Sequence, residues 1–83
     1  MFFVYILRTD KNTLYTGYTD DLQKRLEKHR SGKGAKYLKA FKNFVLVYSE
    51  TYDTKSEAMK REVEIKSWSK NKKEDLIRGI INK

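Results

Sequence analysis

The sequence predicts a small α+β domain, a three-stranded sheet flanked by helices in the order β-β-α-β-α-α. Three observations lead there. A continuous apolar run, Phe2 to Leu7, is followed across the turn-forming stretch TDKNT by a second strand-like segment, Leu14 to Thr19. A third short apolar run spans Phe44 to Tyr48. Between and after these runs, apolar residues recur at helical spacing behind good capping residues.

Each element has its own reason. Phe2–Leu7 is apolar at every position and ends at Arg8, as expected of a strand buried on both faces. Asp10 and Asn12 favour a tight turn, so Leu14–Thr19 returns antiparallel to it. A turn centred on Asp10 would set Tyr5 opposite Tyr15, with both phenols on one face. Gly17 inside that strand predicts a bulge or a close backbone approach. Thr19 or Asp20 is the expected N-cap of a helix running to about His29, closed by Ser31 and Gly32. SGKGAKY, Ser31 to Tyr37, reads as a basic loop. Thr54 or Ser56 is expected to cap a helix from Glu57 to about Trp68, and Asn71 a last one from Lys72 to Ile81.

The chain has 83 residues, which makes a single domain over 1–83 with a modest core. It contains no cysteine, so a disulfide framework and a thiolate metal site are excluded. No stretch approaches the roughly 20 apolar residues of a membrane span. The apolar N-terminus lacks the basic leader and small-residue cleavage site of a signal peptide, so the expected location is cytoplasmic. Nineteen Lys and Arg against 11 Asp and Glu give a formal net charge of +8, unevenly placed. Lys24 to Lys42 holds eight cations and one anion, and Lys66 to Lys83 holds six cations and two anions. Such clustering points to a polyanionic partner, nucleic acid before an anionic membrane surface.

Several polar residues fall where a core would be expected. Leu22, Arg25, Leu26 and His29 form one stripe of the first helix, so a cation and an imidazole share a core-facing line with leucines. Either they meet a ligand or a partner, or Arg25 snorkels outward and His29 caps the helix C-terminus. On the next helix Glu62 lies between Ala58 and the pair Met59 and Val63, while Lys60, Arg61 and Glu64 take the polar side. A carboxylate so placed pairs with Arg25 or Lys66, or holds a metal ion. Mg²⁺ suits one carboxylate, because it keeps several waters and often takes only one or two protein carboxylates. Tyr5, Tyr15, Arg25, His29 and Glu62 together make an inventory suited to phosphoryl transfer.

These residues resemble a known family. VYI at Val4–Ile6 followed by YTG at Tyr15–Gly17 is similar to the paired signature of the GIY-YIG nuclease superfamily, with Val4 at the first signature glycine and Thr16 at the second signature's isoleucine. Arg25, His29 one turn later and Glu62 on the next helix agree. The likeness is greatest to the small stand-alone bacterial members, through Tyr15–Thr19, Gly32–Tyr37, Leu46–Tyr48 and Ser56–Lys66. Many members carry an asparagine on the last helix; the corresponding stretch here is Lys72 to Asp75, with Asn71 somewhat earlier.

The resemblance implies a role for each position. Glu62 would bind one divalent cation, Mg²⁺ or Mn²⁺, and Arg25 would stabilise the charge of the reacting phosphate. Tyr5 and Tyr15 would lie at the hydrolytic centre, His29 would relay or accept a proton, and Gly17 would let substrate approach the backbone. Gly17, Lys28, Lys33, Lys36, Tyr37 and Lys39 are the expected nucleic-acid contacts. The implied function is divalent-metal-dependent endonuclease action on branched or distorted DNA, or on DNA supplied by a protein partner, by a monomer. Two other readings compete: a non-catalytic nucleic-acid-binding module that keeps the fold and basic surface, and an adaptor that docks an acidic protein.

Overall fold

The computed structural model of the chain describes residues 1–32 and 43–80. Strands β1 (Phe2–Thr9), β2 (Leu14–Thr19) and β3 (Phe44–Tyr52) form one antiparallel sheet in the order β2-β1-β3. Helices α1 (Leu22–Arg30), α2 (Lys55–Lys66) and α3 (Lys70–Ile77) complete the expected order. As the unbroken apolar run of β1 requires, Val4, Tyr5, Ile6 and Leu7 are all buried. On one face Val4 and Ile6 pack with Ala58 and Ile65 of α2 and Leu76 of α3. On the other, Tyr5 and Leu7 pack with Tyr15, Phe44 and α1's Leu22 and Leu26.

The hairpin register differs from the expected one. Tyr5 stands opposite Gly17, and Tyr15 opposite Leu7. The turn centres on Lys11 because the loop holds three residues, with Asn12 at φ 61° and the Thr9 N–H donating to the Thr13 carbonyl at 2.9 Å. A shift of two residues preserves the face, so both phenols still project from the same side.

β3 runs four residues past the expected Tyr48, to Tyr52. A register shift against β1 between Ile6 and Leu7 changes its facing. Tyr48, Glu50 and Tyr52 lie opposite Ile6, Val4 and Phe2, facing α2, whereas Leu46 and Phe44 lie opposite Leu7 and Thr9, facing α1. The irregularity is therefore in β3, and β1 pairs with β2 without interruption through Gly17.

The helix ends correct the expected caps of α1 and α3 and bear out Thr54 for α2, which spans Lys55–Lys66 rather than Glu57 to Trp68. Asp21, one residue beyond the expected caps, accepts from the Lys24 N–H at 3.0 Å, while Thr19 Oγ1 accepts from the Asp21 N–H and bends the chain into that cap. Thr54 caps α2, accepting from the Glu57 N–H at 3.2 Å. Ser69 rather than Asn71 caps α3, which begins at Lys70 and stops at Ile77. Gly79 at φ 76° ends it, with the Ile80 N–H reaching the Asp75 carbonyl and the Gly79 N–H the Leu76 carbonyl, a Schellman closure. A bidentate pair between Arg8 and Glu74, at 2.6 and 2.7 Å, holds α3 against the hairpin.

A buried carboxylate and a part-buried guanidinium dominate the α2 face. Glu50, 2% exposed, accepts from Tyr48 Oη, from Tyr52 Oη and from Arg61 Nε. Burial by itself would raise the Glu50 carboxyl, but these three hydrogen bonds outweigh it and hold the group below the usual carboxylate range. Arg61 thus leaves the polar side of α2 where periodicity put it. It reaches Glu50 and Glu64 and lies 5.0 Å from the Trp68 ring centroid. Met59 and Val63, by contrast, are exposed.

Candidate active site

The site forms where both faces of the sheet meet at the β2 edge. β1 supplies Tyr5 and β2 supplies Tyr15 and Gly17, all on the α1 face. α1 adds Arg25 and, one turn on, His29. From the opposite face α2 brings Glu62 and Lys55. Tyr5, Tyr15, Gly17, Arg25 and Glu62 line one open cleft of about 550 Å³, together with Phe2, Tyr18, Thr19, Asp20 and Lys55. Arg25 is therefore a wall of the cleft, and the stripe of α1 that mixed leucines with cations is the helix's inward face.

Tyr5 is the floor. It is 1% exposed, and its Oη lies 2.9 Å from Nε2 of the buried His29. Its ring covers Gly17: a Cβ added there would fall 2.6 Å from Tyr5 Oη and 2.7 Å from Cζ. The close approach expected at Gly17 is thus an approach of Tyr5. Tyr15 stands beside the pair, half-buried, with ring centroids 6.4 Å from Tyr5 and 5.6 Å from His29, edge-on to the imidazole. Phe44 closes the other side of His29 at 6.1 Å. His29 is an interior group, not a helix cap.

Electrostatics separates the two ring groups from the solvent-facing ones. Burial and then the neighbouring Tyr15 push the Tyr5 phenol far above its ordinary value; Arg25 opposes them, and Glu62 adds a smaller push upward. Burial, Arg25 and Lys28 all lower the His29 imidazole. Near neutral pH the pair is therefore an un-ionised phenol beside a neutral imidazole.

Glu62 is 12% exposed and forms an i,i+4 pair with Lys66 at 2.9 Å, the second of the two partners expected for it. Among the described residues no three His, Asp or Glu side chains converge as a metal cage. Glu62 and Asp20 are the two carboxylates of the cleft. That donor set fits a hard cation that keeps most of its water, as Mg²⁺ does. Glu62 would have to exchange Lys66 for the ion.

The expected nucleic-acid contacts divide. Lys28 is exposed on α1 and shares a hollow with Lys24 and Arg25 next to the cleft. Lys33, Lys36, Tyr37 and Lys39 lie outside the described residues. Lys55 and Asp20 were not expected in the cleft: Asp20 read as a helix cap, and Lys55, next to the Thr54 cap, as an ordinary solvated charge. No helix among the described residues is long and apolar enough to cross a membrane.

Comparisons with known proteins give the family and the fold. A family model described as the GIY-YIG catalytic domain matches residues 1–75. The chain is 52% identical over 75 residues to a UPF0213 protein of Staphylococcus saprophyticus, covering 90% of this chain and 92% of that one. It is 53% identical over 76 residues to a UPF0213 protein of Staphylococcus aureus, covering 92% and 93%. It is also similar to the solution NMR structure of a UPF0213 protein from Bacillus halodurans, with TM-score 0.61 and 46% identity over 94% of this chain and 84% of that one.

Proposed function

This chain belongs to the GIY-YIG catalytic domain family, a nuclease family, and we propose that it is a divalent-metal-dependent endonuclease that hydrolyses DNA phosphodiester bonds. Branched or distorted DNA, or DNA presented by a partner protein, is the substrate this reading favours. The observation that carries it is the convergence of Tyr15, Arg25 and Glu62 on one open cleft floored by Tyr5 and Gly17.

The residues divide the work by exposure. Glu62 would hold one Mg²⁺ or Mn²⁺, and Asp20 is the other carboxylate that lines the cleft. When bound, such an ion polarises a phosphoryl oxygen and acidifies coordinated water. Arg25 takes the phosphate oxygens, its planar fork suited to charge that grows during in-line attack. Tyr15, on the cleft wall, is the phenol that hydrogen-bonds and orients the attacking water. Tyr5 is a positioning residue: buried and bonded to His29, it fixes the floor and keeps its own proton. His29 holds Tyr5 in place and, being neutral, adds no charge beneath the phosphate.

The test is cleavage of supercoiled, single-stranded and branched DNA with Mg²⁺ or Mn²⁺, beside identical reactions containing EDTA and a Glu62→Ala preparation. Nicking by wild type alone, abolished by EDTA, is the expected result. Equal cleavage by both proteins would assign it to a contaminant and remove the proposal. DNA binding without cleavage would leave the binding-module reading.

A further inference from the structure

Beside the cleft, on the far side of Tyr15, lies a second hollow of about 320 Å³ lined by Leu14, Tyr15, Thr16, Lys66 and Lys73. Tyr15 is the wall common to both. We propose that this hollow is a second phosphate subsite, which takes the backbone phosphate next to the scissile one, so that a DNA strand lies along the β2 edge. The proposal rests on the nuclease reading above and deepens it to a polynucleotide substrate held at more than one phosphate.

Two features support it. The charged residues lining the hollow are two lysines and no acid. The hollow on the other flank differs: Lys24, Arg25 and Lys28 share it with Asp20 and Asp21, which oppose an anion. Among the described residues, a strand leaving the cleft on the Tyr15 side therefore meets lysines with no acid beside them in the lining. Second, β2 is an edge strand in the β2-β1-β3 sheet, so no described strand lies across the path.

Lys66 joins the two sites. Its ammonium pairs with Glu62 at 2.9 Å while it lines the hollow, so a cation that takes Glu62 releases Lys66 toward phosphate. Lys73 lies on α3 and supplies a point charge there. Contacts of this kind hold phosphates without reading bases, so the subsite adds affinity and no sequence preference.

The experiment is fluorescence anisotropy with a short fluorescein-labelled single-stranded oligonucleotide, in EDTA, over a range of KCl. Lys73→Ala and Lys66→Ala/Lys73→Ala are compared with wild type and with Lys60→Ala, an exposed α2 control, after circular dichroism confirms the fold. Each phosphate contact on a single strand contributes about 0.7 to the slope of log K against log salt. The slope should fall by about 0.7 for the single variant and, because Lys66 stays paired with Glu62 in EDTA, by no more than that for the double one. Slopes equal to that of Lys60→Ala would overturn the subsite even if wild type cleaves DNA. The predicted slopes with a wild type that never cleaves would keep the subsite and remove the nuclease reading.

Discussion

Replacing Gly17 by alanine should disrupt the floor of the cleft with a single methyl group. The backbone at Gly17 is ordinary strand, so alanine meets no conformational barrier. Its Cβ, however, would lie 2.6, 2.7 and 3.2 Å from Tyr5 Oη, Cζ and Cε1. Tyr5 cannot swing away cheaply, because its ring is buried and its hydroxyl is bonded to His29. Overpacking of this kind costs about 1–3 kcal/mol, and losing the Tyr5–His29 hydrogen bond adds about 1 kcal/mol. We therefore expect Gly17→Ala to lose about 2–4 kcal/mol in urea unfolding, with Tm lower by about 10–30 °C. In a Tyr5→Leu background the obstructing atoms are gone, and the same substitution should cost close to nothing. A Gly17→Ala midpoint equal to wild type, or an undiminished cost beside Leu at position 5, would refute the steric argument.

Other expectations follow from the same geometry. Tyr15→Phe should lower the cleavage rate by about 10²- to 10⁴-fold if its phenol handles the water; Tyr5→Phe should instead cost about 1–3 kcal/mol, by removing the phenol bonded to His29 Nε2. Single-turnover cleavage and urea titration of the two variants separate the roles, and the reverse pattern would exchange them. Glu50→Gln removes the charge that Arg61 meets inside the fold and should destabilise by about 3 kcal/mol, read from the urea midpoint. Because burial, Arg25 and Lys28 lower the His29 imidazole, the unfolded chain binds its proton more readily than the folded one. Stability should therefore fall as pH drops below about 6.5, and His29→Gln should flatten that part of the profile. An unaltered profile in the variant would show that His29 does not carry the effect.

Much of the candidate site was legible because its residues break the patterns around them. Arg25 and His29 interrupt an apolar stripe, Glu62 adjoins the buried Ala58, and Gly17 interrupts a strand. Each of these anomalies lines or underlies the cleft. The hairpin register was not legible, since Asp10 and Asn12 serve equally well in turns of different length, and only the positive φ of Asn12 selects three residues. Ser69 and Asn71 are likewise comparable caps, so the start of α3 was ambiguous by two residues.

Glu50 and Arg61 were missed for a different reason. Tyr48, Glu50 and Tyr52 alternate on one face, a signal of a strand continuing past Tyr48 with an acid held among phenols. The register shift in β3 reverses which of its residues face α2, however, and no local pattern announces it. Arg61 then reads as one more cation on a helix full of them. Its real position follows only from the buried carboxylate across the interface.

The most direct test of the central claim is to follow binding and cleavage of one branched DNA in parallel, for wild type and Glu62→Gln. Glu62→Gln is expected to bind at least as tightly as wild type, having lost a negative charge from the phosphate path, and not to cleave. Cleavage by Glu62→Gln at the wild-type rate would contradict that claim.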